Sequence, residues 1–314
     1  MALGAVGGGF SALYALLNAQ GRRARLAIGL PEAPPPRADG VYQPENVPGI
    51  SPSLRFALIG DSMAAGLGVD RPEELPGVLI AKGLAEESER PVRLTTYAIS
   101  GSTTRDLRAQ VDRVVRDRPD VALVIIGTND VTTRVSIAAA VAMLAAQVRR
   151  MRLAGIGVVV GTCPDLGTVL PIAQPLRSLA RSWSLRLARE QRIAVERAGA
   201  VAVPLADLLA PEFLARPGDL FSRDRFHPSA VGYDAAASVL LAPLCSVAGI
   251  WHGGPLPVRS LRSAAADARR PTSRVMAWLN RRDRRLLGWT GAEVFGIVKA
   301  RRRASRVVAH LNRR

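Results

Sequence analysis

The chain has 314 residues, 48% of them apolar and 22% charged, the balance of a globular protein with enough material for one large domain or two small ones. Its two cysteines, Cys163 and Cys245, are too few for a disulfide-built scaffold or for a zinc site with the usual cysteine pairs. The formal charge of +17 is unevenly placed: residues 255–314 hold 16 Arg and Lys against 3 acidic residues, so the excess belongs to the C-terminal segment and not to the body.

Residues 1–20, MALGAVGGGFSALYALLNAQ, carry no charge, and as a helix they would reach about 30 Å, just enough to cross a bilayer. Gly4, Gly7, Gly8 and Gly9 dilute the apolar run, no basic stretch precedes it, and GRRAR follows. The expectation is a helix that anchors the chain to a membrane, for which the positive-inside rule would put the N-terminus outside, or export if the N-terminus is a truncated signal. An apolar helix of a cytosolic protein is the alternative. Seven prolines between residues 31 and 52 mark residues 21–52 as an extended, polyproline-like linker.

From residue 53 to 245 the pattern alternates. Short aliphatic or β-branched runs at 55–60, 92–98, 121–127, 156–161 and 200–204 read as strands. Between and after them, 76–88, 103–117, 134–154, 174–198 and 229–242 have helical character; the third ends in arginines and Gly155, as helix C-termini prefer. Alternation of this kind predicts an α/β fold, a single doubly wound three-layer domain around a parallel sheet of about five strands. Residues 246–314 read as an appended Arg-rich segment with amphipathic stretches such as SRVMAWLNRRDRRLLGW.

In open α/β sheets ligands bind at the carboxyl ends of the strands. Gly60-Asp61-Ser62 follows the first strand, Gly101 follows the second, Gly127-Thr-Asn129-Asp130 follows the third, and Asp224 precedes His227 by three residues near the domain's end. Each piece alone is an ordinary turn or helix cap. Together they supply a hydroxyl nucleophile, an imidazole, a carboxylate and amide donors, the requirements of acyl transfer through a serine. The chain has three histidines, and His252 and His310 lie beyond the predicted sheet, which leaves His227 as the base.

These four blocks, IGDS, Gly101, GTND and DRFHPSAVGY, resemble the SGNH/GDSL hydrolases over about residues 53–245, with the flavodoxin-like fold of that family. The resemblance implies Ser62 as nucleophile, His227 as general base and acid, Asp224 as its orienting carboxylate, and an oxyanion hole from the N–H groups of Ser62 and Gly101 and the side-chain amide of Asn129. Met63 stands where the longer signature has Leu, an apolar exchange. Ala64 breaks the Gly-x-Ser-x-Gly elbow of the classical α/β-hydrolases.

The expected activity is hydrolysis of carboxylic esters through an acyl-enzyme, on a small-molecule, lipid or carbohydrate ester. No metal or organic cofactor is expected, since no ligand cluster stands out. An acyltransferase would use the same residues with a sugar or lipid acceptor. A third reading gives the work to the Arg-rich tail, on an anionic membrane surface or, less favoured because no reading motif is present, on nucleic acid.

Overall fold

The computed structural model describes residues 2–29, 33–45 and 52–250, and the side chains of residues 2–10 are not among the described ones. The Arg-rich segment from residue 251 on, with His252 and His310, lies outside the described residues. Helix α1 (Ala2–Ile28) runs through the uncharged stretch and on past GRRAR. Leu13, Tyr14 and Leu16 are exposed, whereas Gln20 and Ala24 are buried.

The segment that reads as a linker contains strand β1 (Gly40–Tyr42), which pairs antiparallel with β3 (Val92–Thr96). Extended, proline-flanked backbone has the conformation a strand requires, and three residues suffice to complete a sheet edge. The linker is thus shorter than 21–52: helix occupies its start and sheet part of its middle.

Strand β2 (Leu54–Gly60) leads into the four-residue helix α2 (Ser62–Ala65) and then α3 (Pro76–Ser88). After β3 come α4 (Leu107–Asp117), β4 (Val121–Ile125), α5 (Thr128–Thr132), α6 (Ile137–Leu153) and β5 (Gly157–Gly161). The chain continues through α7 (Leu176–Arg197), β6 (Val201–Val203), α8 (Leu205–Ala215), α9 (Pro217–Leu220) and α10 (Ala230–Val247). The sheet order is β1-β3-β2-β4-β5-β6, and every pair from β3 to β6 is parallel.

The alternation along the strands builds two cores. Phe56, Leu58, Leu123 and Val159 pack toward α3, α8 and α10, while Ala57, Ile59, Val124 and Val160 pack toward α4, α6 and the end of α7. All residues of β4 and β5 are buried, as a parallel sheet covered on both faces demands. Helix α10 is long and apolar enough to cross a membrane. It packs instead on α3 and β5, burying Tyr233, Leu240, Leu244 and Cys245, and so acts as a core helix. Cys163 and Cys245 are buried free thiols.

The connections after β2 and β4 leave toward opposite faces of the sheet, which opens a crevice at their carboxyl ends. Gly60 ends β2 there, paired with Ile125, at a φ of +142°. A Cβ on Gly60 would sit 1.9 Å from the Ile125 carbonyl oxygen. Gly60→Ala should therefore destabilise the protein by about 3 kcal/mol, the upper range for overpacking, read as a lowered thermal unfolding midpoint.

Candidate active site

Ser62 is the first residue of α2, so its N–H is one of the donors a helix start leaves without an intrahelical partner. Asp61 is the N-cap: its Oδ1 accepts from the Met63 N–H at 3.0 Å. The turn is tied to the sheet by the Asp61 N–H, which donates to the Ile125 carbonyl at 3.2 Å.

His227 arrives on a loop folded back on itself. The Ser222 N–H donates to the His227 carbonyl at 2.8 Å, and Arg225 takes a left-handed φ of +55° at the tip. Inside the loop, Asp224 Oδ1 accepts from Ser222 Oγ and from the N–H groups of Phe226 and His227, at 2.8 to 2.9 Å. Oδ2 is left facing His227 Nδ1 at 2.6 Å, and His227 Nε2 lies 2.9 Å from Ser62 Oγ. Burial alone would raise the Asp224 carboxyl, but its bonds to the His227 imidazole and to the loop N–H groups outweigh it and bring it down to about 2.

An ionised carboxylate can only accept, so Nδ1 carries the imidazole proton. Nε2 then presents its lone pair, and the Ser62 O–H donates to it. Ser62 and His227 are both largely buried, with relative exposures of 8% and 9%. Gly68, at a φ of +111°, lets this loop approach: a Cβ there would meet the Pro228 carbonyl at 2.6 Å and His227 Cβ at 3.0 Å. Tyr233 on α10 donates its O–H to the Leu67 carbonyl at 2.7 Å, bracing the same turn from behind.

Gly101 has a φ of +81°, the left-handed turn its position suggests. Asn129 on α5 donates from Nδ2 to the Ser102 carbonyl at 2.9 Å, which brings the third block against the second. One buried amide joins the second block to the first. Gln110 on α4 accepts from the Gly60 N–H at 2.9 Å and donates from Nε2 to the Gly60 carbonyl at 2.9 Å and to Ser102 Oγ at 3.2 Å. Buried Asp130 accepts from the N–H and hydroxyl of Thr104, locking the third block to the second once more. On the far side Gln191 accepts from the Cys163 N–H at 2.8 Å and donates to the Ile126 carbonyl at 3.0 Å.

A pocket of about 580 Å³, its open mouth included, lies beside Ser62 and His227. Leu166 and Val169 form one wall after β5, Leu209 and Phe213 of α8 another, with Met63, Phe221 and Phe226 around them. Among the described residues no cluster of His, Cys, Asp and Glu could hold a metal ion.

The model of the GDSL-like lipase/acylhydrolase family matches residues 58–235. The chain is also 45% identical over 251 residues to the GDSL-like esterase Rv1075c of Mycobacterium tuberculosis, covering 77% of this chain and 80% of that one. This chain belongs to the GDSL-like lipase/acylhydrolase family. Among solved structures it is similar to TesA, at 23% identity and a TM-score of 0.47 over 62% of this chain and 97% of that one. It is similar also to the acetylxylan esterase Axe2 of Geobacillus stearothermophilus, at 20% identity and a TM-score of 0.46 over 64% and 97%.

Within this member of the family, sequence reasoning missed the amide clamps. Their signal was present: Gln110 stands in the apolar stripe of Leu107, Val111 and Val114, and Gln191 in that of Leu187, Ala188 and Val195. A polar residue inside such a stripe has to be satisfied by the element it faces. Gln110→Leu leaves the buried Gly60 N–H unpaired and should cost about 1–3 kcal/mol in thermal or denaturant unfolding.

Two buried carboxylates sit under the turns. Burial raises Asp61 to about 7, with the nearby charge of Asp130 adding to it, and burial raises Asp130 to about 6 against its bonds from Thr104. A carboxyl whose folded value lies above its ordinary 3.8 holds its proton longer in the folded state. Its ionisation therefore costs stability as pH rises from about 4 to about 7. Asp61→Asn should flatten that decline, seen as a smaller fall in the unfolding midpoint between pH 4.5 and 7.5 than in the parent protein.

Proposed function

We propose that the protein hydrolyses carboxylic esters through Ser62, with His227 as general base and acid and Asp224 as the carboxylate that orients it. The observation that carries this reading is the unbroken relay from Ser62 Oγ to His227 at 2.9 Å and from His227 to Asp224 at 2.6 Å. In the first half-reaction His227 Nε2 takes the Ser62 proton while Oγ bonds to the ester carbonyl carbon. The charged oxygen that results is held by the N–H groups of Ser62 and Gly101 and by the Asn129 amide. As the tetrahedral centre collapses, the bond to the alcohol oxygen breaks and that oxygen takes the proton from Nε2. A water molecule then repeats the sequence on the acyl-Ser62 ester, releasing the acid and restoring the serine.

The electrostatics favour this division of labour. Asp224 stays ionised down to about pH 2, so across the working range it accepts from Nδ1–H and stabilises the imidazolium that forms. Ser62 is largely buried at the start of α2, so the charge that develops there does so where water is already largely excluded.

Hydrolysis of p-nitrophenyl butyrate tests the assignment. Ser62→Ala should remove essentially all turnover while the far-ultraviolet circular dichroism is retained; an unchanged rate would end the reading. Asp224→Asn should lower kcat by about 10⁴-fold, because the imidazole then loses its orienting acceptor. Asn129→Ala should lower it by about 10²- to 10³-fold with little change in KM.

A further inference from the structure

The pocket beside Ser62 carries more information than the relay, because its chemistry is one-sided. Its lining is Met63, Leu166, Val169, Leu209, Phe213 and Phe221 at the places where a substrate arm would run, and it holds no Lys or Arg. Two of the polar groups that reach it, Asp165 and Thr168, are already engaged. Asp165 accepts from the Gly167 N–H at 2.7 Å and pairs with Arg181 at 3.2 Å, and Thr168 Oγ1 donates to the Asp165 carbonyl at 2.8 Å. A sugar entering this space would leave water for walls with few open partners, and an anionic arm would meet the buried Asp165 carboxylate.

The walls are also braced. Phe213 and Phe221 stand edge to face with ring centroids 4.9 Å apart, and Phe226 stands edge to face against the His227 imidazole at 4.8 Å. The wall after β5 is held from outside by α1, whose Gln20 donates to the Gln174 carbonyl and accepts from the Leu176 N–H at 3.1 Å. The apolar surface next to Ser62 is therefore part of the folded architecture.

We infer that the ester taken by this site carries a flexible hydrocarbon arm of several carbons, seated between Leu166, Val169, Leu209 and Phe213, and that acetyl, sugar-bearing or charged arms are poor occupants of this pocket. This rests on the proposed hydrolysis at Ser62 and adds the substrate class to it. The acyl side or the alcohol side of the ester can supply the arm, and the experiment separates the two.

The full-length chain is assayed for kcat/KM on two series. One is p-nitrophenyl acetate, butyrate and hexanoate; the other is the acetate esters of ethanol, butanol and hexanol. In one of the series kcat/KM should rise by about fourfold per methylene buried, on the order of a hundredfold from its shortest to its longest member. The p-nitrophenyl hemisuccinate should be no better than the acetate. A flat or falling trend in both series, or a hemisuccinate that outruns the hexanoate, overturns the inference.

Ala210, which lines the same pocket on α8, provides a second arm: Ala210→Phe should reduce the ratio of long-arm to short-arm kcat/KM by tenfold or more. A ratio measured within one preparation does not depend on the fraction folded, and an unchanged ratio overturns the inference. Ser62→Ala keeps the two ideas apart. Hydrolysis that disappears in Ser62→Ala but shows no chain-length trend defeats only the hydrocarbon arm, whereas hydrolysis that survives Ser62→Ala defeats the reading beneath it.

Discussion

The backbone of Gly60 is the point on which the rest of the arrangement depends. It ends the central strand β2 at the crevice where the sheet's connections part, and it passes so close to the Ile125 carbonyl that no side chain fits. Its N–H and its carbonyl are both gripped by the Gln110 amide, and its carbonyl receives the Ile99 N–H as well, at 3.1 Å. With the chain pinned there, Ser62 has little freedom in where it presents its hydroxyl. A buried amide that satisfies both backbone groups of one residue is a stiff support, since loosening it would strand the Gly60 N–H away from water.

From that point the carboxyl ends of the strands are laced together by short, mostly buried polar bonds. Gln110 connects the turn after β2 to Ser102, Asn129 connects the turn after β4 to Ser102, and Asp130 connects it to Thr104. The protein spends buried carboxylates on this: Asp61 and Asp130 have both been pushed well above the ordinary range by burial. Asp224 is the opposite case, drawn down to about 2 by the bonds gathered on it. Asp61 and Asp224 thus differ in charge tendency because Asp224 faces the His227 imidazole, whereas burial dominates at Asp61.

Much of the fold was legible in the sequence, and the misses have physical causes. Helix 76–88 and the strands at 55–60 and 121–127 were readable because apolar period and flanking Gly or Pro agree there. Helix α8 escaped because Pro211 lies inside it and Pro204 and Pro217 flank it, a pattern that local rules read as broken chain. Strand β1 escaped because an edge strand of three residues has no periodicity of its own and exists only through its ladder with β3. Of the candidate site, the residues at strand ends could be picked out by type and position, whereas the Gln110 and Gln191 clamps required attention to a polar residue in an apolar stripe.

The sequence by itself determined the alternation of strands and helices, and with it which residue types stand at the carboxyl edge: Ser62, Gly101, Asn129, Asp224 and His227. Those are local properties, set by side-chain period, by the positive φ that glycine tolerates and by the caps that helices require. Only the tertiary structure decided that Ser62 and His227, 165 positions apart, meet at 2.9 Å, and that α8 and the segment after β5 close an apolar pocket beside them. Distances of that kind follow from the order of strands in the sheet and from the packing of α10 behind it, and no stretch of the chain encodes them alone.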